Sequence, residues 1–352
     1  MRKAYLVLEN GRIFEGIRFG ADTEPEGEAV FTTRMTGYLQ TLTDPACAGQ
    51  IVVQTFPLIG NYGVIPAEFA SPQPQLAAYV VRENCKKPSN FRSEGSLDAY
   101  LKQCGVPGLC GVDTRSLTRL LRAEGVMRAK LSDTPEATFD GAAPINCPNL
   151  SVITTGAVST RTPPDARYRV ALWDFGATAS ISQALLSRGC EVVMFPAAST
   201  TQAVLAAKPD GIVLSGGPGD PAANAGFVAE IGIAARAGIP MLGIGLGHQL
   251  LALSQGGRTY KMKVGHRGVN QPSRHVRTGR IHITSQNHGY VVSLPDLPPS
   301  VEVTYINAND GSCEGLWYRD FPAFSVQFQP EACAGPLNGG HLFDEFIGMM
   351  KT

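Results

Sequence analysis

Two glycine-rich segments hold the residues best placed to do chemistry. Met241-Leu242-Gly243-Ile244-Gly245-Leu246-Gly247-His248-Gln249 reads as a strand, a sharp turn and then a helix, Leu246–Leu253. This is the layout of a nucleophile elbow, G-x-Nuc-x-G, in which small residues flank a side chain held up at a strained turn. Here the nucleophile position is Gly245. The second segment, Ser215-Gly216-Gly217-Pro218-Gly219-Asp220-Pro221, also follows a buried-strand run. Its glycines let backbone N–H groups approach an anion or a carboxylate closely. Gly243-x-Gly245-x-Gly247 invites a dinucleotide reading as well. That fingerprint wants G-x-G-x-x-G, however, and the third position is His248. No Asp or Glu follows Gly247 within the ~20 residues where a ribose hydroxyl would be held. No G-x-x-x-x-G-K-[ST] pattern occurs, which argues against ATP in a P-loop.

The elements that must position these loops alternate as β-α-β. Arg169–Trp173, Glu191–Phe195, Gly211–Leu214 and Pro240–Ile244 read as buried strands. Ile181–Arg188, closed by Gly189, and the alanine-rich Ala222–Arg236 read as helices. Such alternation predicts a parallel α/β sheet covered by helices, with ligands at the carboxyl ends of its strands. Beyond Gly256 the pattern turns to short strands, Ile281–Thr284, Val301–Ile306 and Ala323–Phe328. A final amphipathic helix, His341–Met350, follows.

The N-terminal half reads as a smaller, β-rich α+β module. Ala4–Leu8 and Arg12–Phe19 are strand-like and joined by Asn10-Gly11, a strong hairpin signal. Glu28–Thr32 and Ile51–Thr55 are further strands. Ser96 can cap a helix Leu97–Gln103, and Asp113 can cap Thr114–Glu124, which ends at Gly125. Between the halves, roughly 149–167 is rich in Ser, Thr, Pro and Gly without apolar periodicity. The expected division is therefore 1–150, a linker at 151–168, and 169–352.

Composition narrows the function classes. The 352 residues are 43% hydrophobic and 17% charged, which is globular. Lys+Arg and Asp+Glu are both 30, so a general electrostatic grip on nucleic acid or an anionic membrane is not expected. No apolar run reaches the ~18 residues of a membrane helix. Met1-Arg2-Lys3 and Ala4–Leu8 are cut short by Glu9, too brief for a signal-peptide core, so the expected location is the cytoplasm. The 8 cysteines are scattered without a CxxC pair and read as reduced thiols; Cys104 and Cys110 are too far apart for a usual zinc knuckle. No metal site is expected. All 6 histidines lie at or beyond His248.

Several motifs in register carry a resemblance. Leu214–Pro221, the Gly243–Gln249 elbow, Thr284-Ser285-Gln286-Asn287-His288-Gly289-Tyr290 and Val326-Gln327-Phe328-Gln329-Pro330-Glu331-Ala332 together resemble the class I glutamine amidotransferase family. Phe31–Tyr38, Leu42-Thr43-Asp44-Pro45, Gly49–Val52, Ile59–Gly63 and Gly111–Arg115 are similar to the small-subunit family of carbamoyl-phosphate synthases. The resemblance covers essentially the whole chain. It implies a class I amidotransferase-like C-terminal sheet and a glutaminase built on a Cys-His-Glu triad. It also implies a large synthetase subunit as partner, which would combine the ammonia with bicarbonate and hold the ATP and metal. No cofactor is implied in this chain.

The chain departs from that pattern where the chemistry sits. The family's G-x-C-x-G-H-Q has Gly245 in place of cysteine, and its Q-F/Y-H-P-E has Gln329 in place of histidine. Glu331 remains. A serine usual after T-D-P is Ala46, and a lysine usual after D-F-G-x is Thr178. A thiolate nucleophile and an imidazole that shuttles its proton are thus both lost. By the resemblance, Ala46, Gly217, Gly219, Leu246, Gln249, Asn287, Gly289 and Tyr290 match glutamine-contacting positions. Glutamine or an analogue is therefore an expected ligand, bound without cleavage. The leading expectation is a non-hydrolysing docking or gating subunit supporting synthesis from free ammonia. One alternative is an active glutaminase with an unorthodox nucleophile, for which Cys313 and Cys333 are the candidates and His248 or His288 a substitute base. Another is a module that senses glutamine or a related metabolite.

Overall fold

The computed structural model describes residues 2–139, 156–331 and 337–351. It separates into two compact units, Met1–Pro148 and Asn149–Thr352.

The first unit is a closed barrel. Its strands are β1 (Lys3–Leu8), β2 (Ile13–Gly20), β3 (Glu26–Thr32), β4 (Gln50–Gln54), β6 (Ala78–Val80), β8 (Pro107–Cys110) and β9 (Met127–Ser132), in the order β1-β2-β8-β6-β4-β3-β9. A small two-stranded sheet joins β5 (Leu58–Ile59) to β7 (Glu83–Asn84). Asn10-Gly11 makes the β1–β2 turn, with Gly11 at φ 81° and Leu8 N donating to Arg12 O at 2.9 Å. Strand alternation feeds two cores. Ile51 and Val53 pack with Leu117 and Leu121 of the helix Thr114–Glu124. Val52 and Tyr79 pack instead with Leu39, Leu97 and Leu101. Both expected caps form: Ser96 Oγ accepts from Ala99 N and Asp113 Oδ1 from Ser116 N.

The second unit is a ten-stranded sheet with helices on both faces. Its strands are β10 (Ser159–Arg161), β11 (Tyr168–Asp174), β12 (Cys190–Pro196), β13 (Gly211–Leu214), β14 (Met241–Ile244), β15 (Thr259–His275), β16 (Ile281–Val292), β17 (Val301–Asn307), β18 (Cys313–Tyr318) and β19 (Ala323–Val326). The order is β10-β12-β11-β13-β14-β19-β18-β17-β15-β16. The middle, β12-β11-β13-β14-β19, is parallel, and the remaining pairs are antiparallel. The helices Thr201–Ala206, Ala225–Ala235 and Leu246–Ser254 contribute Val204, Ile231 and Leu250 to one core. Ala179–Leu186 and His341–Met350 contribute Ile181, Leu185, Phe343 and Phe346 to the other.

Three expectations need correction. The linker 151–168 includes a strand: Thr160 of β10 pairs with Val193 of β12. An exposed edge strand needs no apolar face, so its Ser/Thr composition concealed it. The helix expected over Ala222–Arg236 is broken into a 3-10 turn, Pro221–Ala223, and the helix Ala225–Ala235, because Asp220 Oδ1 takes Ala222 N into a local turn. Ile281–Thr284 is only the start of β16, which runs on to Val292.

Candidate active site

Four connections leave the carboxyl ends of parallel neighbours β11, β13, β14 and β19, and together they build one site. Each of those strands is mostly or fully buried, so their ends are fixed by packing before any polar contact forms.

The turn after β14 is an elbow in its backbone. Gly245 sits at φ 55°, ψ −110°, and the helix Leu246–Ser254 begins immediately after it. Its N–H donates to Val326 O at 2.9 Å, tying it to β19. The flanking glycines are there for space. A Cβ on Gly247 would stand 2.3 Å from Leu214 O, and one on Gly243 2.9 Å from Gly247 O. Gly245 is different: a Cβ there would meet Gly216 Cα at 3.5 Å and Gln327 O at 3.9 Å, ordinary contacts. Only its dihedrals favour glycine.

The loop after β13 lies against this turn. Ser215 is fully buried; its Oγ accepts from Phe175 N and donates to Gly216 O, both at 2.8 Å. Gly217 closes on β11's exit so tightly that a Cβ would stand 2.1 Å from Phe175 O. Gly219 takes φ 95°, as the turn requires. Gly247 N donates to Ser215 O at 3.0 Å, which locks loop and elbow together.

Gln249, on the elbow helix, reaches two other elements. Its Nε2 donates to Tyr290 O at 2.7 Å and to Gln327 Oε1 at 2.8 Å. The expected contact residues Asn287, Gly289 and Tyr290 therefore lie not on a loop but within β16, opposite β15 (Arg267↔Asn287, Lys261↔Tyr290). Sequence reading ended that strand at Thr284 because Thr284–His288 is polar; Thr284, Ser285 and Gln286 are buried instead.

Gln329 leaves β19 and bridges to β16, its N–H donating to Ser285 O at 2.9 Å. Its amide carries no titratable proton near neutrality. Glu331 Oε1 accepts from Thr178 Oγ1 at 3.1 Å. Thr178 stands at the N-cap of the helix Ala179–Leu186 yet makes no capping bond, because its buried hydroxyl is turned to Glu331 and Ser180. Asp174 accepts from Gly176 N and Ala177 N, and burial pushes its carboxyl above the usual range. Ala46, in the first unit, sits in a 3-10 turn, Pro45–Cys47, whose N-cap Asp44 accepts from Ala46 N at 3.0 Å.

The groups weighed as substitutes sit in buried surroundings. His248 is fully buried with Nδ1 on Ser325 Oγ at 2.8 Å, and burial lowers its pKa to about 3, so the ring stays neutral. Burial also holds His288 well below an ordinary imidazole. Cys313 is buried in the sheet and its thiol is pushed up to about 12, far from a thiolate at neutral pH. Cys333 lies outside the described residues.

The carbamoyl-phosphate synthase small chain CPSase-domain family matches residues 6–131, and the class-I glutamine amidotransferase family matches residues 171–349. The carbamoyl phosphate synthase small chain of Symbiobacterium thermophilum is 46% identical over 353 residues, covering 97% of both chains. The chain belongs to the carbamoyl phosphate synthase small chain family. The small chains of Staphylococcus epidermidis (46% identical, 100% of this chain and 97% of that one) and Chlorobaculum tepidum (45%, 99% and 98%) agree. The class-I amidotransferase match contains the elbow, the Ser215 loop, β16 and the Gln329–Glu331 segment, so the site belongs to that domain. No helix among the described residues is long and apolar enough to cross a membrane.

Proposed function

We propose that this small chain is a non-hydrolysing subunit: it docks on a large synthetase subunit and supports or gates carbamoyl phosphate synthesis from free ammonia. One observation carries the reading. The elbow keeps its backbone, with Gly245 at φ 55°, but presents only hydrogen, and Gln329 supplies an amide on the segment leaving the adjacent strand. Removing one member of a comparable triad costs ~10⁴–10⁶ in turnover. Loss of the nucleophile removes the covalent route altogether. Glu331 has no imidazole at position 329 to orient and is engaged by Thr178. ATP and metal belong to the large partner in this reading, and the chain works in the cytoplasm.

The test is reconstitution with a large subunit, comparing glutamine with ammonium as nitrogen source. Ammonium-driven synthesis without glutamine-driven synthesis is expected; glutamine-driven turnover well above background rejects the reading.

A second reading is favoured by the backbone of the cradle. The Leu246 amide, between Gly245 N–H on Val326 O and Gly247 N–H on Ser215 O, has no acceptor among the described residues. With Gly217 and Gly219 beside it and Gln249, Asn287, Gly289 and Tyr290 on the neighbouring elements, it suits glutamine or an analogue held uncleaved. Calorimetry with a panel of amino acids tests this, and silence across the panel removes it.

A further inference from the structure

The antiparallel half of the second unit buries a cluster that the elbow does not use. Glu314, on β18, has 0% exposure. Its Oε1 accepts from Asn307 Nδ2 at 2.8 Å, and its Oε2 accepts from Gln286 Nε2 at 2.7 Å and Ser273 Oγ at 3.2 Å. His266, on β15, stands beside it with Nδ1 3.6 Å from Oε1. His288, on β16, completes the group. The ligating atoms of His266, His288 and Glu314 all lie within 4.8 Å of one another, and all three groups are buried.

Each histidine has one ring nitrogen bonded to a group outside the cluster, and the second nitrogens contact Asn307 (His266) and Gln286 (His288). His266 Nε2 bonds Asp310 Oδ2 at 3.0 Å, leaving Nδ1 towards Glu314. His288 Nδ1 bonds Tyr290 O at 2.9 Å, so it carries the proton and Nε2 carries a lone pair. A histidine whose far nitrogen is oriented by a carboxylate or a backbone carbonyl is the usual state of a metal ligand.

Proton counting points the same way. His288 Nε2 lies 3.0 Å from Gln286 Oε1, so two acceptors face each other. Reversing the Gln286 amide moves the conflict to Glu314 Oε2, 2.7 Å from the other end. Moving the imidazole proton to Nε2 puts a bare Nδ1 against the Tyr290 carbonyl. With the imidazole ring placed as it is, and Nδ1 donating to Tyr290 O, either orientation of the Gln286 amide leaves one lone pair against another. A cation bound at His288 Nε2 takes up that lone pair and removes the opposition.

We propose that His266, His288 and Glu314 form a binding site for a zinc-class divalent cation. Two imidazoles and a carboxylate are a recognised zinc donor set, and reaching the ~2.0–2.1 Å bond lengths requires the groups to draw in by less than about 1 Å. The site joins β15, β16 and β18. It pins the strand carrying Asn287–Tyr290 from behind, and it is a structural brace, not a catalytic centre. It stands independently of the glutaminase reading.

The test uses the full chain, stripped with chelator, then titrated with Zn²⁺ by calorimetry and with Co²⁺ by visible absorption. One equivalent per chain is expected, with the ligand-field bands of a low-coordinate nitrogen/oxygen site. Glu314→Gln and His288→Asn each weaken binding by at least about tenfold. His341→Ala, on the surface, leaves stoichiometry unchanged and separates the site from adventitious surface histidines. No stoichiometric uptake of either ion, or uptake that Glu314→Gln and His288→Asn leave intact, overturns the proposal. NMR showing His288 doubly protonated at neutral pH in the stripped and metal-treated protein alike also overturns it. If a variant fails to fold, the Co²⁺ spectrum of the unaltered chain decides alone.

Discussion

The turn at Gly245 and the segment Gln329–Glu331 leave neighbouring parallel strands, β14 and β19, yet different forces hold them. At the elbow the geometry is enforced by backbone and by absence of space: Gly243, Gly247 and Gly217 each approach a carbonyl so closely that no side chain fits. None of those contacts involves the atom that would do chemistry. At the other segment the functional groups are side chains: Glu331 accepts from Thr178, while the Gln329 backbone is tied to Ser285 O. A site whose frame is set by packing can lose its reactive atoms and keep its shape.

That contrast is open to direct attack. The largest expected effect comes from Ala46→Ser, Gly245→Cys and Gln329→His combined. If the frame is intact, hydrolysis of glutamine, measured by ammonia release, rises by ~10⁴ or more over the unaltered chain. The Cβ of residue 245 enters ordinary contacts, so the stability cost is confined to its dihedrals, about 1–3 kcal/mol. A folded triple variant with no activity would show that the frame had drifted.

Gly247→Ala sharpens the same point. Its Cβ would stand 2.3 Å from Leu214 O, so overpacking should cost about 1–3 kcal/mol or more in denaturant unfolding, with no compensating chemistry. A Gly247→Ala chain as stable as the unaltered one would contradict the steric account of that glycine.

Acid titration separates His248 from a working base. Its folded pKa of about 3 lies below the unfolded value near 6.5, so the folded state binds fewer protons there. Its contribution is full above the unfolded pKa and is lost as pH falls from about 6.5 towards about 3, at ~1.4 kcal/mol per unit at most. His248→Asn should flatten that limb of the stability profile; an unchanged profile would place the ring elsewhere. The smallest effect is expected from Thr178→Val, which removes the hydroxyl held by Glu331 and should cost about 1 kcal/mol.

The parallel strands were legible because each is a short apolar run closed by a turn residue: Gly211–Leu214 is found over the expected residues, and Met241–Ile244 within one. Glycine spacing also disclosed the elbow. The antiparallel half was harder for a physical reason. β15 carries Lys261, Lys263, Arg267 and Arg274 and breaks register between Lys261 and His266 and again between Gly268 and Gln271, so no period of two survives. β16 buries Ser285 and Gln286, and Gln286 reads as loop until Glu314 and Ser273 are known to receive its amide. Closure of the barrel rests on parallel pairings such as β4–β6 and β6–β8 between distant segments, which no local pattern encodes. The clash of hydrogen-bond acceptors between His288 and Gln286 could be seen only with both side chains in place.

The decisive measurement is carbamoyl phosphate production by the chain reconstituted with a large synthetase subunit, run in parallel with ammonium and with glutamine. The expected result is synthesis with ammonium and a background-level rate with glutamine. Comparable rates from both donors would mean that a nucleophile other than residue 245 is at work, and would contradict the central claim.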